Sequence, residues 1–158
     1  MSTRKSDELV DRGNLLGALL RLAHHDIMSR VMAGMRAAGY EDVEPSHVQA
    51  LRPAWDYPDG VRATVLAAEA RITKQSMGAL VDHLETRGYV ERIPDPADGR
   101  AKLVRLTRRG RTMGKRMREI VRETEADWAA RIGRDRVEAM RATLQDLVGS
   151  LASEATGD

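Results

Sequence analysis

Three consecutive polar residues, Lys74, Gln75 and Ser76, follow Thr73 and open a run in which Met77, Leu80, Val81 and Leu84 recur at three- and four-residue spacing. That spacing predicts an amphipathic helix with the apolar residues on one face and Lys74, Gln75, Gly78, Ala79, Asp82 and His83 outside. The chemistry available in its first turn is the reading of base edges. Glutamine pairs bidentately with adenine, lysine reaches guanine or phosphate, and serine donates or accepts. The same residues would also suit the polar start of any helix. What favours nucleic acid is the charged hairpin that follows; Arg71 and Lys102, with Thr73 and Thr107, are candidates to contact phosphates.

Charge supports this. From Arg71 through Arg118 there are 13 Lys and Arg against 5 Asp and Glu, a net of +8, which leaves −6 for the remainder of a chain whose total is +2. A polyanion-binding surface is therefore expected within that stretch. The bland reading of Arg108 to Arg118 is a solvated helix face.

Other chemistries find little purchase. No cysteine occurs, so disulfides, thiolate metal sites and thiol redox sensing are excluded. His24 and His25 are neighbours on a predicted helix and point about 100° apart, which suits no shared metal ion. His47 and His83 have no partner at a helical metal spacing, Ser46 and His47 are mere sequence neighbours, and no glycine-rich phosphate loop appears. No enzyme activity, metal or cofactor is expected. The methionines, Met28, Met32, Met35, Met113 and Met117 among them, read as fillers of core gaps.

Around the charged stretch, the elements that must position it can be read in order. Residues 1 to about 8 read as a polar arm, and Leu9 to about Ala38 as a long amphipathic helix ended by Gly39. Pro45 starts a short helix that Pro53 kinks or ends. Trp55, Tyr57 and the Pro58-Asp59-Gly60 turn follow, and Val61 to Ala70 reads as a third helix. Only Arg71 and Ile72 separate it from the helix at Thr73, so the two make a helix-turn-helix. Gly88 stops the second, and the segments Tyr89–Ile93 and Lys102–Leu106 read as strands around the Asp98-Gly99 turn, giving a winged form. A long helix from Thr107 to about Ile132, a break at Gly133 and a last amphipathic helix complete the chain. Phe is absent and aromatics are only 3%, so the core must be built from aliphatic residues and methionine. The N-terminus lacks a signal-like apolar run and no 18-residue apolar stretch exists, so a cytoplasmic protein is expected.

The stretches TKQSMGALVDHLETRGYVER, DPADGR and LTRRG, with the order of helices around them, resemble the multiple-antibiotic-resistance regulator (MarR) family of bacterial transcription factors. The resemblance covers nearly the whole chain; between Leu51 and Arg62, where Pro53 and Trp55 stand, the sequence departs from the family's simpler pattern. It implies a homodimer that binds a pseudo-palindromic operator in double-stranded DNA, usually as a repressor, and is released by a small aromatic or anionic effector. It further implies that Asp98 shapes the wing turn, through an ion pair with Arg100, and that Arg100 enters the minor groove.

The fold expected is mainly α with a small β-hairpin wing: an N-terminal arm and dimerisation helix at 1–44, a winged helix-turn-helix at 45–107 and C-terminal dimerisation helices at 108–158. Trp55 and Tyr57 are candidates to line an effector pocket, with His24 and Arg30 to face an anion; for a loop aromatic the plain alternative is a packing anchor. A winged-helix sensor or protein-interaction module without sequence-specific DNA binding stays open as the second reading.

Overall fold

The computed structural model describes residues 15–155, so the expected polar arm and the first residues of the expected first helix lie outside the described residues. Its contacts divide it into two compact units, one through Glu119 and one from Ile120 onward.

In the first unit, α1 spans Leu16–Ala37 and buries Val31 and Met35, while Leu15, Leu16, Leu19, Leu20 and Leu22 are exposed. α2 (Pro45–Ala54) begins on its proline, which fits a first turn because its missing N–H would have no partner there. Pro53 does not stop it: the helix runs one residue further, with Ala50, Leu51, Pro53 and Ala54 buried. The Tyr57–Gly60 turn, closed by Gly60 N–H to the Tyr57 carbonyl at 3.0 Å, then delivers the chain to a short strand, β1 (Val61–Arg62).

β1 corrects the helix expected over Val61 to Ala70. Val61 and Arg62 pair antiparallel with Val104 and Leu103, so the helix α3 starts only at Ala63 and ends at Glu69. β2 (Val90–Asp95) and β3 (Asp98–Leu106) complete a three-stranded sheet in the order β1-β3-β2. Both outlast the strands expected from sequence. Pro94, just past the expected first strand, pairs with Lys102, because β2 is an edge strand and the proline's missing donor can face outward.

Between them, α4 (Lys74–Thr86) buries Met77, Val81 and Leu84, the expected inner face, with Leu80 half-buried. Its end is set by Gly88, at φ +71: Gly88 N–H bonds Glu85 O and Tyr89 N–H bonds Leu84 O, a Schellman turn that a side chain would strain.

α5 (Arg108–Ile132) begins after Thr107, whose hydroxyl accepts the Gly110 N–H at 3.1 Å. Gly110 has to be glycine: a Cβ there would stand 2.0 Å from the Tyr89 carbonyl oxygen. That carbonyl cannot retreat, since the Thr107 N–H and hydroxyl both bond it, each at 3.1 Å. Met113 and Met117 are buried on the inner face of α5. In the second unit, Ile120 and Thr124 of α5 and Val137 of α6 (Arg134–Ala155) are buried, and Arg141 of α6 pairs with Glu125 of α5 at 2.9 Å. Met140, Leu147, Val148 and Leu151 of α6 are exposed.

Candidate nucleic-acid interface

The turn joining α3 to α4 is built on Arg71. Its N–H bonds Ala68 O and the Ile72 N–H bonds Ala67 O, a Schellman arrangement that places Arg71 at φ +54, where glycine usually stands. The α4 helix then opens on Thr73, whose hydroxyl oxygen accepts the Ser76 N–H at 3.0 Å and donates to the Ser76 hydroxyl at 2.8 Å. Lys74, Gln75 and Ser76 are exposed in the first turn, as is Ala79 one turn on. Ser76 is therefore partly engaged by its cap, while Lys74 and Gln75 are unencumbered.

The orientation of α4 is fixed from behind by the wing. Arg92 of β2 donates its backbone N–H to Glu85 at 3.1 Å, and its guanidinium holds both Asp82, at 2.5 Å, and Glu85. At the C-terminal end, Tyr89 is buried and donates to Asp42 at 2.7 Å, while Arg87 and Arg109 flank the same carboxylate at 3.4 and 3.9 Å. Burial alone would raise the Asp42 pKa, but the Tyr89 hydrogen bond and the two arginines outweigh it and hold the carboxyl below its ordinary value.

The wing tip is organised by a residue that the sequence reading missed. Arg62 of β1 reaches the buried Asp95 at 2.7 Å and Asp98 at 3.4 Å. Asp95 also accepts the Ala97 N–H at 2.9 Å, and that bond, followed by the one from Arg62, lowers its pKa. Asp98 does shape the turn, by accepting the Arg100 backbone N–H at 3.1 Å, but its ion pair is with Arg62 and not with the Arg100 side chain. Arg100 and Lys102, two residues apart on β3, are both exposed on one side of the strand.

Charge pairing sorts the basic residues of the reading head and wing, with Arg109 beside them, into two sets. Arg62, Arg87, Arg92, Arg105 and Arg109 are each tied to a carboxylate. Among the described residues, Arg71 and Lys74 at the reading head and Arg100 and Lys102 on the wing have no carboxylate partner. The first set positions; the second carries unpaired positive charge on the surface.

Trp55 and Tyr57 do share a cavity, of about 370 Å³, with Leu106, Arg111 and Arg118. The Arg118 guanidinium stacks on the Trp55 ring at 4.8 Å, and Arg111 donates to the Leu106 carbonyl at 2.5 Å. Gly114 makes room for the indole, since a Cβ there would lie 2.4 Å from its Nε1. His24 and Arg30 do not line this cavity: they sit on α1, His24 exposed and Arg30 bonded to Asp26 at 3.2 Å. The cations facing Trp55 are Arg111 and Arg118, which the sequence hid within a run of basic residues.

These features agree with what the chain resembles. A family model described as MarR family matches residues 56–101, which include α3, α4 and most of the wing. The HTH-type transcriptional repressor Rv2887 of Mycobacterium tuberculosis is 36% identical over 73 residues, 46% of this chain and 52% of that protein, so the match spans about half the length of the relative. The crystal structure of Rv2887 in complex with salicylic acid superposes with a TM-score of 0.64 at 28% identity, covering 84% of this chain and 96% of that one. The transcriptional repressor CouR of Rhodococcus jostii RHA1, bound to a 23-mer DNA duplex, gives a TM-score of 0.70 at 25% identity over 85% of this chain and 93% of its own. The matched segment, the winged reading head and the similarity across most of the fold together make this chain similar to regulators of the MarR family.

Proposed function

We propose that the chain is a sequence-specific DNA-binding transcriptional regulator, a cytoplasmic repressor without catalytic activity that binds a pseudo-palindromic operator as a homodimer. The observation that carries this reading is that, from Arg62 to Arg105, the cations without a carboxylate partner are Arg71, Lys74, Arg100 and Lys102, exposed on the helix-turn-helix and the wing. Lys74, Gln75 and Ser76 read base edges in the major groove, Arg100 enters the minor groove, and Arg71, Thr73 and Lys102 hold phosphates. Asp98 acts through the shape of the turn. Residues 45–107 form the reader, and 1–44 with 108–158 join the subunits. Two-fold symmetry then sets half-sites about 10 base pairs apart.

The relatives support release by a small molecule, since Rv2887 is seen with salicylic acid and CouR with p-coumaroyl-CoA. In this chain the Trp55–Tyr57 cavity, with Arg111 and Arg118, offers an aromatic face and positive charge to an aromatic acid. His24 and Arg30 would belong to a separate site.

A footprint on the protein's own upstream region, repeated with a panel of aromatic acids, tests both parts. Protection of a two-fold sequence, lost with one acid, is expected. Salt-sensitive binding without sequence preference would defeat the operator reading, and no binding at all would favour a sensor or protein-interaction module on the same fold.

A further inference from the structure

His47 occupies the third position of α2, and its Nδ1 accepts the backbone N–H of Glu44 at 3.1 Å. Glutamate or glutamine usually closes this reciprocal cap, because the position needs an acceptor. An imidazole meets that need only while Nδ1 keeps its lone pair; a proton there would turn it into a second donor facing the Glu44 N–H. The His47 ring is 3% exposed and stacks on His83 of α4, with centroids 4.4 Å and planes 28° apart. His83 Nδ1 lies 2.8 Å from the Arg87 guanidinium, which can only donate, so its hydrogen sits on Nε2, a buried atom with no partner. The contact between α2 and the recognition helix is thus two stacked imidazoles, each with Nδ1 committed as an acceptor.

The groups facing His47 come from three sides. Its own burial opposes a positive charge most strongly, followed by His83 on α4; Glu44 at the helix start favours one, Arg87 opposes it, and Asp42 in the preceding loop favours it. The positive end of the α2 dipole adds to the opposition. The balance holds His47 below the ordinary imidazole value. With that sign, the capped and stacked state is fully favoured above the unfolded value of about 6.5 and loses ground as pH falls below it.

We propose that His47 and His83 are positioning residues for the recognition helix, and that acidification unseats it. Protonated His47 can neither cap α2 nor stay stacked between neighbouring positive groups. The consequence reaches the reading face directly, because Ser76 and Ala79 line the same groove as His47, His83 and Glu44. The proposal rests on the DNA-binding reading above. Its signature has the opposite sign to simple electrostatics, since added positive charge by itself strengthens binding to a polyanion.

The test is binding of the full chain to its upstream fragment by fluorescence anisotropy, at constant ionic strength, near pH 7.5 and near pH 5.5. The wild type is expected to bind severalfold, up to about tenfold, more weakly at the lower pH, since about one unit below the free imidazole value favours the protonated ring by that ratio. His47→Gln, which supplies the cap without titrating, is expected to bind equally at both; His25→Asn, an exposed α1 histidine, is expected to keep the wild-type drop. Equal or tighter wild-type binding at the lower pH, an undiminished drop in His47→Gln, or global unfolding of the wild type by circular dichroism overturns the proposal. Should His47→Gln fail to fold, nitrogen-15 imidazole spectra of the wild type decide: protonation of His47 in step with the affinity loss supports the latch, and a ring that stays neutral while affinity falls overturns it. Absence of sequence-preferring binding near pH 7.5 defeats the DNA reading as well, whereas a flat pH profile with normal binding defeats only the latch.

Discussion

Arg71 stands at a backbone position that favours glycine, and the proposed phosphate contact would account for the arginine there. An L side chain at φ +54 costs about 1–2 kcal/mol, which a glycine would avoid at the expense of some unfolded-state entropy. Arg71→Gly is expected to raise stability by roughly 0.5–1 kcal/mol in a denaturant titration while weakening DNA binding and reducing the salt slope by about one. Gain of stability with unchanged affinity would remove Arg71 from the interface. Gly110 poses the reverse case. Gly110→Ala must push a Cβ against a carbonyl that two other bonds hold in place, and a loss of about 2–3 kcal/mol or failure to fold is expected. The glycine of the LTRRG motif was legible as a motif, but its reason was not, because Tyr89 lies 21 residues earlier and touches it only in the fold. Still longer separations hid Arg62 behind Asp95, and Arg118 behind Trp55. Lys74, Gln75 and Ser76 were legible because periodicity alone puts them on the outside of a first turn.

Among the elements, helices with caps and a 3.6-residue stripe were read well, and the sheet was read short. α4, α5 and the break at Gly133 lie within a residue or two of where the apolar pattern and cap residues place them. β1 escaped because two residues carry no period; what makes Val61 and Arg62 a strand is a partner more than 40 positions away. This third strand ties the start of α3 to the wing through Arg62 and Asp95. Since the Asp95 carboxyl is held below its ordinary 3.8, its contribution is present above that value and fades as pH falls below it. Protection factors of the β3 amides near Asp98 and Gly99 are therefore expected to fall below about pH 4, before those of the helices do. Asp95→Asn should show the lowered protection already at neutral pH; protection equal to wild type would mean that the ion pair does not hold the tip.

At the scale of the whole molecule, the unexplained feature is the amount of leucine and valine left in water. Leu15 at the start of α1, Leu16, Leu19 and Leu22 within it, and Leu147, Val148 and Leu151 of α6 are all more than 40% exposed, more than an isolated chain of this size would ordinarily leave on two helices. A second copy would cover them. Sedimentation is expected to show a dimer that the double variant Leu147→Asp, Leu151→Asp converts to a folded monomer with at least tenfold weaker operator binding. A variant that stays dimeric would clear α6 of that role. The scarcity of rings has a practical consequence as well. With no phenylalanine and only two tryptophans, the chain carries one indole in each compact unit, Trp55 in the first and Trp128 in the second. Trp55 sits in the cavity with a guanidinium over its face and its Nε1 sealed from water, so its fluorescence should change when anything enters. Trp128 supplies an internal reference, and the protein comes with its own optical gauge of cavity occupancy, without a label.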